Sequence, residues 1–149
     1  MSTPGTPTPV KTIAVIGAGT MGSGIALTAA QAGELAHLAA ALPLPAGPCA
    51  DLGAGTGLLS RALQRHHGQL SLRPPLQLDL CPELLARNPV AAAAGRGPRN
   101  SQPLGRLWDL NDGLPEDLQN AALLVSSFAL QWLEHPTREL SLWCRSLAP

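Results

Sequence analysis

The sequence predicts an α/β fold in which a parallel sheet carries helices on its faces. Three observations lead there. Short apolar or β-branched runs alternate with helix-spaced segments along the chain. Two of these runs open into glycine-rich turns that lead straight into a helix, the order a nucleotide loop requires. Acids recur at the ends of successive runs, at Asp51, Asp79 and Asp109, and a parallel sheet gathers such positions on one rim.

Bulk properties bound the reading. A chain of 149 residues makes one domain of ordinary size, so two complete nucleotide-binding domains do not fit. Ten acids balance one Lys and nine scattered Arg, and one Phe and three Trp offer few stacking platforms, so no nucleic-acid surface is expected. Cys49, Cys81 and Cys144 are odd in number and lack CxxC spacing, and no charged leader precedes an apolar run; a cytoplasmic setting is the expectation. The three cysteines read as packing residues, and no metal is expected. The apolar stretch from Ile25 to Leu44 is broken by Gln31, Gly33, Glu34, His37 and Pro43, so no membrane span is expected either.

In chain order, residues 1–10 (MSTPGTPTPV) read as a disordered tail. Lys11 to Ile16 is a β-branched strand that turns at Gly17 and opens a helix near Met21. Leu35, Leu38 and Leu42 continue a helical stripe past Gly33, which costs a helix interior only about 1 kcal/mol, and Pro43 stops it. Pro43 to Pro48 is a connector. A strand at Cys49 to Leu52 is followed by a helix from about Gly57 to His66, whose Leu59 and Leu63 share a face. Leu76 to Leu80 is the next strand, and Pro82 to Arg87 starts a helix. Residues 91–102 read mostly as loop. Arg106 to Leu110 and Ala122 to Ser126 are strands, with helical material from Ala129 and again from Pro136, where Leu140, Trp143 and Leu147 form a core-facing stripe.

In the first loop, Gly17, Gly19 and Gly22 have the spacing GxGxxG: a tight turn, a close backbone approach to a pyrophosphate, and close packing of helix on strand. Residues 11–33, KTIAVIGAGTMGSGIA through QAG, resemble the opening of the NAD-binding domain of 3-hydroxyacyl-CoA dehydrogenases, which implies NAD as the ligand of this loop. The downstream partners are missing. Residues 29–55 contain no Val, Ile or Thr to build the next strand, and no acid stands near Leu38 to take the ribose. NAD is therefore the alternative reading, beside one in which the glycines only shape a turn.

The second loop, Asp51-Leu-Gly53-Ala-Gly55-Thr-Gly57, keeps its partners. Asp79 closes a strand 22 residues after Gly57, where a carboxylate can accept from both hydroxyls of a ribose, and Asp109 ends the next strand in WDLNDGLP. From about Leu35 onward the chain resembles class I S-adenosylmethionine-dependent methyltransferases, and within them looks most like the malonyl-acyl-carrier-protein O-methyltransferases of biotin synthesis. The segments that carry this are CADLGAGTGLLSRAL, LQLDLCPELL, LWDLNDGLP and LLVSSFALQWLEHPTRELSLWCRSLAP. The resemblance implies that Gly53, Gly55 and Gly57 pass under the methionine part of S-adenosylmethionine, that Asp51 helps orient its amino group, that Asp79 holds the ribose and that Asp109 with Leu110 borders the adenine. Ser127, Phe128, Gln131 and Trp132 would line the acceptor side, with core packing as the bland alternative for Phe128 and Trp132. The acceptor implied is a carboxylate, and the partner an acyl-carrier protein.

The resemblance also implies a Rossmann-like three-layer sandwich with strand order 3-2-1-4-5-7-6. The chain stops at SLAP, before a fifth strand of that order, so the sequence reads as chimeric and C-terminally truncated. The expected division is tail 1–10, dehydrogenase-like βα unit 11–42 and methyltransferase-like part 43–149, packed as one domain. Residues 12–17 are then expected beside the fourth strand, in the order 3-2-1-4-N, covering an edge that would otherwise invite a homodimer. Three readings result: a methyltransferase or its cofactor-binding remnant, inactive as truncated; an NAD-binding module; and a non-catalytic fusion fragment.

Overall fold

The computed structural model describes residues 24–65, 74–94 and 104–148. The tail, the strand expected over 11–16, the loop Gly17, Gly19 and Gly22, and most of the stretch 91–102 lie outside the described residues.

Within them, a helix α1 (Gly24–Ala40) leads through a connector to strand β1 (Cys49–Leu52), helix α2 (Leu58–Arg65), strand β2 (Leu76–Asp79), short helices α3 (Pro82–Ala86) and α4 (Pro89–Ala94), strands β3 (Gly105–Leu107) and β4 (Leu123–Ser126), and helix α5 (Pro136–Arg145). Single 3-10 turns fill Leu110–Asp112, Glu116–Leu118 and Leu130–Trp132. The four strands form a parallel sheet in the order β3-β2-β1-β4, with Asp51 opposite Gln77 on one side and Val125 on the other. This is the Rossmann-like α/β fold expected, with the inner strand order 3-2-1-4.

Parallel strands covered on both sides bury every residue, and β1 and β4 do so throughout. Side chains alternate between faces. On one face Cys49, Leu123 and Val125 meet Ala32, Leu35, Ala36 and Ala39 of α1 and Leu59, Ala62 and Leu63 of α2. On the other, Ala50, Leu52, Leu78 and Leu124 meet Leu110, Leu118, Leu130 and Trp143. The stripe expected on α5 is present, with Leu140 and Leu147 packed beside Trp143.

Several boundaries differ from expectation. The stripe on α1 runs through alanines, and Leu38 is 46% exposed, because a helix wedged against both a second helix and the sheet needs small residues at its closest approach. Part of the expected loop is helix α4, started by Asn88, which accepts from the amides of Val90 (3.0 Å) and Ala91 (3.3 Å), and by Pro89 at the first helical position. Strand β3 ends at Leu107, so Asp109 lies in the turn beyond it. Of the three cysteines, Cys49 is buried, while Cys81 is half-buried and Cys144 is exposed, so packing describes only the first.

The outer edge of β4 is engaged at its start. Ala121 donates to the carbonyl of Ser146 and accepts from the amide of Ala148, both at 2.9 Å, forming a parallel bridge to Leu147. The strand expected beside β4 from residues 12–17 lies outside the described residues.

Candidate functional site

Parallel strands bring their C-terminal ends to one rim, and the turns that leave β1, β2, β3 and β4 there enclose a cavity of about 550 Å³. The turn after β1 requires glycine at Gly53 and Gly57 and favours it at Gly55. Gly53, Gly55 and Gly57 have φ of 73°, 52° and 78°. A Cβ on Gly53 would overlap the Ala129 methyl, and one on Gly57 the Asn88 side chain. The amides of Gly53 and Ala54 both donate to the carbonyl of Leu78, at 2.8 and 2.9 Å, tying the bend to β2.

Asp79, the last residue of β2, turns its carboxylate toward that bend. One oxygen accepts from the Gly55 amide at 2.7 Å and the other from the Cys81 amide at 2.8 Å. A carboxylate offers about four acceptor positions, so each oxygen keeps capacity for a further donor on the cavity side. Asp109 caps the turn that follows it, accepting from the Asn111 amide at 2.9 Å and from its side chain at 3.0 Å. Asn111 in turn accepts from the Glu134 amide at 2.9 Å, joining the turn after β3 to the segment after β4.

Asp51 is placed differently. It is fully buried beneath the bend, and one of its oxygens accepts from both the amide (3.1 Å) and the hydroxyl (2.8 Å) of Ser60. It thereby caps α2, a favourable place for a negative charge at a helix start. Burial nevertheless pushes its pKa up to about 6; the Ser60 bonds pull it back, and the nearby Asp79 charge adds to the rise. Asp51 supports the bend from below and does not line the cavity.

Gly53, Gly55, Asp79, Asp109, Leu110, Ser127, Phe128 and Trp132 all line it; Gly57 lies buried behind it, and Gln131 is exposed outside it. Phe128 holds φ of 62°, an uncommon conformation for a bulky residue, and the Ser127 hydroxyl is buried without a hydrogen-bond partner. Trp132 is 74% exposed at the mouth, which rules out core packing for it. Sequence reasoning missed the apolar wall formed by Leu80, Leu84, Trp108 and Leu133. Leu80 and Leu84 have helical spacing across Cys81, a signal that was present but indistinguishable from ordinary core patterning. It also missed Asn88, which meets the bend only through the fold.

Among the described residues no helix is long and apolar enough to cross a membrane, and no group of three or more His, Cys, Asp or Glu could hold a metal ion.

No protein-family model matches the chain, and no curated protein matches it. Among solved structures it is similar to an S-adenosylmethionine-dependent methyltransferase from Mesorhizobium loti, with 30% identity and a TM-score of 0.54 over 81% of this chain. The match covers 51% of that protein, so this chain spans about half its length. The resemblance carried by the second glycine loop therefore extends to a solved methyltransferase fold.

Proposed function

We propose that this chain binds S-adenosylmethionine in the cavity at the sheet rim and serves methyl transfer. The observation that carries the reading is the Asp79 carboxylate, held against the Gly55 amide at 2.7 Å at the end of β2. The residues present fit such a cofactor. The glycine bend admits the methionine portion without side-chain obstruction, Asp79 accepts from ribose hydroxyls, and the turn Asp109–Leu110 with Trp108 offers a polar edge and an apolar wall for the adenine. The two acids on the wall suit a ligand that carries positive charge.

When bound, the cofactor supplies an already activated sulfonium methyl, which an acceptor's lone pair takes in line as the carbon–sulfur bond breaks to leave a thioether. The chain's own part is placement and exclusion of water. Phe128, Trp132 and Leu133, on the segment after β4, line the cavity where an acceptor would approach. The acceptor is a carboxylate such as that of malonyl-acyl-carrier protein in the cytoplasm, a finer reading that rests on the sequence resemblance alone.

Calorimetry with S-adenosylhomocysteine and, in parallel, NAD tests the reading. Saturable binding of S-adenosylhomocysteine is expected, weakened about tenfold or more in Asp79→Ala by loss of charge-assisted hydrogen bonds. No saturable heat is expected from NAD. Absence of S-adenosylhomocysteine binding, or equal affinity in the variant, would overturn it.

A further inference from the structure

Behind the glycine bend lies a buried pair of amide side chains. Asn88 and Gln77 are both fully inaccessible. The Asn88 amide nitrogen, which has two hydrogens to give, donates to the side-chain oxygen of Gln77 in β2 and reaches the carbonyl of Gly55 at 3.4 Å. Its oxygen accepts from the amides of Val90 and Ala91 at the start of α4. One side chain thus ties the central part of β2, the tip of the bend and the first turn of a helix.

We infer that Asn88 is a positioning residue for ribose recognition, acting through Gly55 on Asp79; this rests on the cofactor reading proposed above. The two peptide groups that flank the Gly55 Cα are each held: the amide of the preceding one donates to Asp79 at 2.7 Å and the carbonyl of the following one accepts from Asn88 at 3.4 Å. Asn88 also fills the space that a side chain on Gly57 would need, so it limits how far the bend can sink toward the sheet. With Asn88 in place, the Gly55 amide is fixed and so is the Asp79 oxygen it holds. The Asn88 side chain is itself anchored by its buried bonds to Gln77 and to the Val90 amide, so the atom that meets the part-buried Gly55 carbonyl has a fixed place. Asn88 does not line the cavity. Its effect is on where Asp79 can offer its remaining acceptor positions.

The readout is discrimination between S-adenosylhomocysteine and its 2′-deoxy analogue, since only a well-placed Asp79 distinguishes them. In the wild type the deoxy analogue is expected to bind about tenfold more weakly. In Asn88→Ser, whose hydroxyl can still cap α4 but cannot reach Gly55, the ratio is expected to fall to within about twofold of unity, as in Asp79→Ala. Asn88→Asp, which keeps the cap oxygen but has no donor for the Gly55 carbonyl, is expected to do the same and serves if the serine variant does not fold. In the wild type itself, the side-chain amide resonances of Asn88 are expected to shift when S-adenosylhomocysteine saturates the site. A ratio unchanged in the variants, or Asn88 resonances that do not move, would overturn the inference while leaving the cofactor reading intact. A wild type that binds neither ligand would overturn both.

Discussion

At the scale of single residues, the buried Asp51 makes the sharpest statement about pH. A carboxyl group of ordinary pKa 3.8 raised to about 6 in the folded chain holds its proton more tightly when folded than when unfolded. Folding is therefore favoured while the group is protonated, and the benefit is lost as pH rises from the unfolded value through about 6. The shift corresponds to about 3 kcal/mol between the two limits. Asp51→Asn keeps an oxygen for the Ser60 amide and hydroxyl but carries no charge at any pH. Its stability relative to wild type, from urea midpoints, is expected to improve by up to about 3 kcal/mol between pH 4 and pH 7.5. A difference that stays flat across that range would mean that Asp51 does not titrate as the buried geometry demands.

At the scale of elements, α1 shows how local cost and tertiary packing divide the work. Gly33 lies in its interior, and a Cβ there would meet nothing within 4 Å. Gly33→Ala removes a helix-interior glycine without a clash, so urea unfolding is expected to show a gain of about 0.5–1 kcal/mol. A loss would mean that the backbone at this position is not helical. The same helix marks where the sequence was legible and where it was not. Its existence followed from its helical spacing, but the leucine stripe Leu35-Leu38-Leu42 shares only Leu35 with the face that is buried, Ala32-Leu35-Ala36-Ala39, and hydrophobicity alone favours the leucines. Close approach to α2 and the sheet favours the alanines, a fact about three elements at once. At the site, the Gly53 to Gly57 bend and Asp79 were readable because their requirements are local: a positive φ, a strand end and a fixed spacing. Asn88 was not readable, because an asparagine followed by proline shows only a helix start. That it also packs under Gly57, 31 positions earlier, appears only once β1 and β2 lie side by side.

At the scale of the whole molecule, the two faces of the sheet supply independent reporters of one question: whether α1 is part of the cooperative unit. Trp108 and Trp143 pack with the face that carries Leu110 and Leu118, and Trp132 stands at the cavity mouth. Helices α1 and α2, the two that contribute buried residues to the opposite face, dominate the helical signal from that side. Tryptophan fluorescence therefore reads one face, and far-ultraviolet circular dichroism weights the other. The faces are joined through β1 and β4, whose residues alternate between the two clusters: Cys49, Leu123 and Val125 to one, Ala50, Leu52 and Leu124 to the other. A strand cannot lose one cover and keep its fixed place in the other, so the two signals should fall together in a single transition. Ala36 is fully buried against that shared sheet, and enlarging it should overpack the contact. Ala36→Leu is expected to destabilise by about 1–3 kcal/mol and to move the fluorescence and dichroism midpoints by the same amount. If α1 were instead an appendage, the variant would lose dichroism early while the tryptophans on the far face reported an unchanged midpoint. That outcome would separate residues 24–40 from the unit that carries the cavity.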